Sequence, residues 1–197
     1  MDLIGWVLLA VVLMALVWAV GAYNRLVRLK NAIANAFGQI DVQLKRRYDL
    51  IPNLVEVARK YLAHEAETLE AVIAARNQAR NAEQTVAASP GNAGAMGALA
   101  GAEQVLGGAM GRLFALAEAY PDLKADQTMR ELSEELASTE NRVGFARQSY
   151  NDHVLAFNDA AAQFPTLIVA RLFAFLPMPM LESTASEEER QAVKVAF

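Results

Sequence analysis

Apolar residues run unbroken from Leu3 to Ala22 (LIGWVLLAVVLMALVWAVGA), with no charged side chain among them. As a helix this stretch spans about 30 Å, the thickness of a bilayer's hydrocarbon core. Lipid offers the backbone no hydrogen-bond partners, so an isolated span must be helical. Trp6 near one end, and Trp18 and Tyr23 near the other, carry rings that settle at the headgroups. A core helix of a soluble protein is the weaker alternative, since a stretch this long and this free of charge rarely occurs there. Residues 1–24 are therefore expected to be a transmembrane anchor.

Beyond the anchor the pattern changes to a helical repeat. Leu26, Leu29, Ile33, Phe37, Ile40, Leu44 and Ile51 fall mostly three or four apart, the stripe of an amphipathic helix. Asp49-Leu50-Ile51-Pro52 is expected to break it, because the residue before a proline avoids the α region. Leu54, Ala58, Tyr61, Leu69, Val72 and Ala79 form a second stripe. Residues 84–94 (QTVAASPGNAG) compose a loop with its turn at Ser89-Pro90-Gly91. A third stripe runs through Leu99, Ala102, Leu106, Ala109, Leu113, Leu116 and Tyr120. The most regular one follows: Met129, Leu132, Leu136, Thr139, Val143, Ala146, Tyr150, His153, Phe157, Ala160 and Phe164, alternating three and four as in coiled-coil packing.

Helices at about 25–50, 52–83, 94–119 and 126–163 with short connections predict an antiparallel up-and-down four-helix bundle. The fold class is all-α: an N-terminal transmembrane helix, this bundle over 25–164, and a short apolar C-terminal helix. That last part, 165–181, has one charge and is too short to span a bilayer. Residues 182–197, with Glu187-Glu188-Glu189, read as a solvated acidic tail. If Pro52 only kinked its helix, three helices would result, one much longer than its partners; four is preferred.

Charge supplies the orientation. Arg25, Arg28 and Lys30 follow the apolar stretch and no Lys or Arg precedes it, which places the N-terminus outside and the bundle in the cytoplasm. Met1-Asp2 lacks the basic n-region of a cleaved signal, so the stretch reads as a retained single-pass anchor. The absence of cysteine removes thiol chemistry and disulfides. A net charge of −4 argues against a nucleic-acid partner, which calls for a concentrated basic face.

Candidate chemistry is sparse. A di-iron bundle needs Glu-x-x-His on two helices, and the residues three before His64 and His153 are Tyr61 and Tyr150. No metal and no cofactor is expected. Seven of the eleven glycines lie between Gly91 and Gly111, but no strand precedes them and no Gly-Lys-Ser/Thr follows, so they do not form a phosphate loop. Tyr48, Asp49, Glu140, Asn141, Arg142 and Arg147 assemble no nucleophile, base and orienter, and no catalysis is assigned. Leu167, Ile168, Arg171, Leu172, Phe173 and Phe175 are candidates for an interfacial membrane contact: by helix parity the fourth helix returns to the bilayer and delivers them there. Ala15 and Ala19 make a small-xxx-small pair that favours self-association, weakly.

These segments resemble the LemA family of bacterial membrane proteins. The resemblance rests on 23–61 (YNRLVRLKNAIANAFGQIDVQLKRRYDLIPNLVEVARKY), 64–76 (HEAETLEAVIAAR), 120–125 (YPDLKA), 140–152 (ENRVGFARQSYND) and Phe164-Pro165. Tyr48, Asp49, Pro52, Asn53, Glu140, Asn141, Arg142, Arg147, Tyr150 and Asn151 are the positions that carry the family pattern. Residues 171–179 depart from it, where a glycine or a charge is expected. The resemblance implies a bacterial inner-membrane anchor carrying a four-helix bundle, and no enzymatic activity. It also implies a link, through relatives in magnetosome-forming bacteria, to membrane shaping. The expected function is a scaffold or adaptor whose partners are the bilayer, other copies of the chain and an unidentified protein. A ligand-binding or enzymatic bundle is the alternative.

Overall fold

A single helix, α1, runs from Leu3 to Arg59, 57 residues in all, and so about 86 Å long at 1.5 Å per residue. The structure is a computed structural model describing residues 2–89 and 91–181. Five further helices follow: α2 (Ala66–Ala88), α3 (Ala93–Ala117), α4 (Pro121–Ala125), α5 (Gln127–Ala162) and α6 (Thr166–Leu172). No strand occurs among the described residues, and the fold is all-α. The first turns of α1 expose Leu3, Trp6, Leu13 and Val17, as expected of a surface made for lipid. Burial begins at Ala22 and Leu26, where the bundle starts.

The distal part of α1 packs on α5 and on α2; α2 packs on α3; α4 connects α3 to α5. One core joins Ile33, Phe37, Ile40, Leu44 and Ile51 of α1 to Leu69 and Val72 of α2. It continues through Leu99, Leu106 and Leu113 of α3 into Leu136, Val143, Tyr150 and Phe157 of α5. Asn92 caps α3 by accepting from the Ala95 amide at 3.0 Å, and Asp126 caps α5 by accepting from Met129 at 2.9 Å. Tyr61 donates its hydroxyl to Asp126 at 2.9 Å, tying the two distal connections together.

Four expectations need correction. Helix α1 does not break at Pro52; it continues to Arg59, and the reversal falls at residues 60–65, so the second helix begins at Ala66. A proline inside a helix leaves the carbonyl four residues earlier without its donor. That carbonyl belongs to Tyr48, and Arg76 of α2 donates Nε to it at 2.8 Å. A neighbouring helix thus satisfies what the proline removes, and the boundary between the first two helices shifts from Pro52 to residues 60–65. Helix α2 runs on to Ala88 and α3 starts at Ala93, so helix takes both ends of the 84–94 stretch expected as loop while Ser89 and Gly91 keep the turn. On α5 the buried stripe passes through Val154 rather than His153, which is half-buried, and it ends before Phe164, which is 81% exposed. On α3 it takes Met110 and Ala117 in place of Ala109 and Leu116.

The apolar C-terminal segment is helical only over Thr166–Leu172. Its end is a Schellman turn: Phe175 donates to the Ala170 carbonyl and Ala174 to that of Arg171, with Ala174 in the left-handed region at φ 52°. Glycine is the usual occupant of such a position. The chain then reverses and runs extended along α5 to Leu181. The expectation for the acidic tail lies outside the described residues.

Candidate functional site

Helices α3 and α5 barely approach each other, and the seam between them is filled from α1 by a set of charges. Arg47, 8% exposed, places Nη1 2.7 Å from Glu103 Oε2 and 3.0 Å from Glu140 Oε2. Tyr48 donates its hydroxyl to the other Glu103 oxygen at 2.5 Å. Burial first, then the Glu103 charge, raises the Tyr48 hydroxyl well above its usual range, so it stays protonated and donates. Arg147 lines the same seam; burial lowers its guanidinium, while Glu103 and Glu140 pull it back up. A cleft of about 330 Å³ opens here, lined by Arg47, Glu103, Gly107, Glu140 and Arg147. Glu103, like Arg47, was not singled out in the sequence. It is a lone carboxylate beside the stripe of a helix otherwise almost without charge, and such a group must find a cation when packed inward.

Just above the cleft, nearer the anchor, the C-terminal segment is strapped to α5 by two asparagines. Asn158 donates Nδ2 to the Met178 carbonyl at 2.9 Å and accepts from the Met178 amide at 2.8 Å. Asn151 does the same for Leu181, at 3.0 and 2.9 Å. Each side-chain amide supplies one donor and one acceptor, the pair an adjacent strand would offer. The spacings agree: seven helical residues rise about 10.5 Å, and three extended residues cover about 10 Å. Pro177 and Pro179 on either side of Met178 lack N–H groups, so the strap leaves few donors to satisfy. Tyr150 donates to the Pro179 carbonyl at 3.1 Å, and burial pushes its own pKa up to about 12. Met178 lies over Gly91 (φ +97°), where a Cβ would come within 2.5 Å of Met178 Cε. Leu181 reaches the seam beside Glu103 and Arg147.

A second polar cluster joins α1 to α2. Glu83 is fully buried, with Asp41 and Lys45 facing it; Lys45 Nζ is 2.6 Å from Asp41 Oδ2 and 3.8 Å from Glu83 Oε1. Burial, then the Asp41 carboxyl beside it, pushes Glu83 up to about 7. Burial alone would raise Asp41 too, but its bonds with Glu83 and Lys45 hold it below the usual carboxylate range. In its protonated form Glu83 is the one of the two carboxyls that can donate, with Asp41 as acceptor.

The remaining family-pattern positions separate. Asp49 is exposed and lies 3.7 Å from Arg76 Nη2, while Asn53 and Asn141 face outward. Arg142 lines a surface groove of about 460 Å³ between α1 and α5, shared with Gly38, Val42, Gln43 and Phe145. Phe145, 71% exposed, had not been singled out in the sequence. Among the described residues no three or more His, Cys, Asp or Glu side chains converge as a metal site. Tyr23 packs its ring edge-on against Phe173 and Phe175, at centroid distances of 4.8 and 5.6 Å. Arg25 and Arg28 are exposed.

The family model described as LemA family matches residues 36–197, which take in α1 from Ala36 onward, α2 to α6 and the strap. The chain belongs to the LemA family. Among curated proteins this LemA-family chain is similar to magnetosome protein MamQ of Magnetospirillum gryphiswaldense, 26% identical over 168 residues. It is also similar to magnetosome proteins MamQ 1 and MamQ 2 of Paramagnetospirillum magneticum, each 25% identical over 168 residues. In all three the match covers 78% of this chain and 62% of the relative. The chain therefore spans less than two thirds of the length of these relatives. Family and span-length apolar helix together make this a membrane-associated helical protein.

Proposed function

We propose that this LemA-family protein is a membrane-anchored scaffold or adaptor that works through self-association and protein contacts, with no catalytic step of its own. One observation carries the reading: the strongest polar constellation, Arg47 with Glu103, Glu140 and Tyr48, is spent on internal partners that fix α1, α3 and α5 relative to one another. A rigid bundle on a continuous anchor presents surfaces. The groove beside Phe145 and Val42, both more than half exposed, is the surface offered to another protein. On this reading the bundle is cytoplasmic, as Arg25, Arg28 and Lys30 direct, and needs neither metal nor cofactor. Membrane shaping is the form such a scaffold takes if copies assemble on one bilayer; the matched relatives are named as magnetosome proteins.

The test is cross-linking in native vesicles combined with mass measurement in mild detergent. Discrete oligomers are expected, weakened by Phe145→Glu while the helical signal and melting temperature are retained. A strictly monomeric species in both settings, with no protein cross-linked to it, overturns the proposal.

A further inference from the structure

The membrane-proximal end of the bundle exposes apolar side chains that no packing among the described residues explains. Phe164 (81%), Ile168 (58%), Leu172 (76%), Phe173 (54%) and Leu176 (74%) all face outward. The opposite face of α6, with Thr166, Val169 and Ala170, is buried. Phe164, Ile168, Leu172 and Leu176 recur every four residues, and single exposed apolar residues are ordinary whereas a contiguous set is not. Their height is fixed by Tyr23, the first residue after the apolar stretch, whose ring touches Phe173 and Phe175. The patch thus sits where α1 leaves the hydrocarbon. Arg25, Arg28, Lys30 and Arg171 are exposed at this end, and residues 3–40 and 160–181 contain no Asp or Glu; the nearest carboxylate in α5 is Asp159.

We propose that the outer face of α6 and the turn after it form a second, interfacial membrane contact, seated at the headgroup–acyl boundary of the bilayer that α1 crosses. The occupant is phospholipid: an apolar face flanked by cations and continuous with a span has the composition of an interfacial helix. Arg171 reaches phosphate while its methylene stem lies on the apolar surface. Of the six interfacial candidates in the sequence, Leu167 is half-buried and Phe175 packs against the core, so the lipid-facing set gains Phe164 and Leu176 in their place.

The inference rests on the membrane-anchored reading, and the experiment separates the two. The chain has no cysteine, so Leu172→Cys, Glu67→Cys and Val12→Cys each give the full-length protein one attachment point for an environment-sensitive fluorophore. Each is reconstituted into mixed phosphatidylcholine and phosphatidylglycerol vesicles carrying a spin label on the upper acyl chain. The label at residue 172 is expected to lose about half or more of its emission, while the label at residue 67, at the far end, loses little. The combined Phe164→Ser, Ile168→Ser and Leu176→Ser variant is expected to bring residue 172 down to the level of residue 67. Quenching at residue 12 but not at 172 overturns the second contact and leaves the anchor standing. A residue 172 that is shielded from water, unquenched by lipid and rehydrated on diluting the protein in the vesicles assigns the patch to a second copy, and overturns it too. No quenching at residue 12 removes the anchored reading and this inference with it.

Discussion

At the scale of single residues, the most informative side chain is one that breaks the usual rule for its element. Pro52 lies inside a helix, where it normally costs about 3 kcal/mol. The structure offsets part of that by giving the orphaned Tyr48 carbonyl to Arg76. The two residues should therefore be energetically coupled. Arg76→Ala is expected to destabilise the bundle by roughly 1–2 kcal/mol, since it leaves a carbonyl without a donor. In a Pro52→Ala background the alanine amide takes that carbonyl, and Arg76→Ala should cost less than half as much. A double-mutant cycle by thermal unfolding in mild detergent measures this, and purely additive effects would refute the coupling. Glu83 makes a second prediction. Its folded pKa of about 7 lies above the ordinary 4.5, so the protonated form favours the fold. The contribution is complete below about pH 4.5 and is lost as pH rises through about 7. Asp41, held below its usual range, acts oppositely and only in acid, where stability falls as it protonates. Glu83→Gln keeps a donor toward Asp41 without the ionisable proton. It should raise the melting temperature at about pH 8 and leave it nearly unchanged at about pH 5, and the same gain at both would exclude the buried acid as the cause.

At the scale of elements, the C-terminal strap behaves as a strand paired to a helix through two side-chain amides. Asn158→Leu or Asn151→Leu removes both bonds at one clasp and should cost about 1–3 kcal/mol. Hydrogen exchange at Met178 or Leu181 should accelerate more than exchange in α1, and equal acceleration everywhere would mean that the strap unfolds only with the whole bundle. These clasps also mark what the sequence reveals and what it hides. The stripes on α1, α3 and α5 were legible because packing selects apolar residues at helical spacing, and the end of α5 fell within a residue of its expected place. Register errors came where small or amphipathic residues make the stripe ambiguous, as at His153–Val154 and Ala109–Met110. The boundary at Pro52 was misplaced because its compensation comes from Arg76, 24 positions later in the chain. The seam was half visible: Tyr48, Glu140, Arg147, Tyr150 and Asn151 were singled out as a family pattern, without the geometry that divides them between charge cluster and strap. Arg47 and Glu103 face each other across 56 positions, a distance over which no local rule operates.

At the scale of the whole molecule, the feature with the widest reach is the absence of any joint in α1 between its apolar stretch and the bundle. About 37 residues of that helix lie beyond the apolar stretch, an arm of roughly 55 Å. On the anchored reading proposed above, a stiff arm on an embedded shaft is a lever. Spans adapt to bilayer thickness by leaning, and a lean of ~10° would swing the far turn at residues 60–65 by ~10 Å over an arm of that length. A flexible Gly-Ser insertion between Val20 and Gly21 should leave the bundle's melting temperature unchanged while lowering the helix order measured by polarised infrared spectroscopy on oriented membranes. Unchanged order would show that the shaft does not steer the arm. With the joint absent, a small difference in membrane thickness reaches the distal turn as a change in angle, and neighbouring copies on one bilayer would all lean by the same amount.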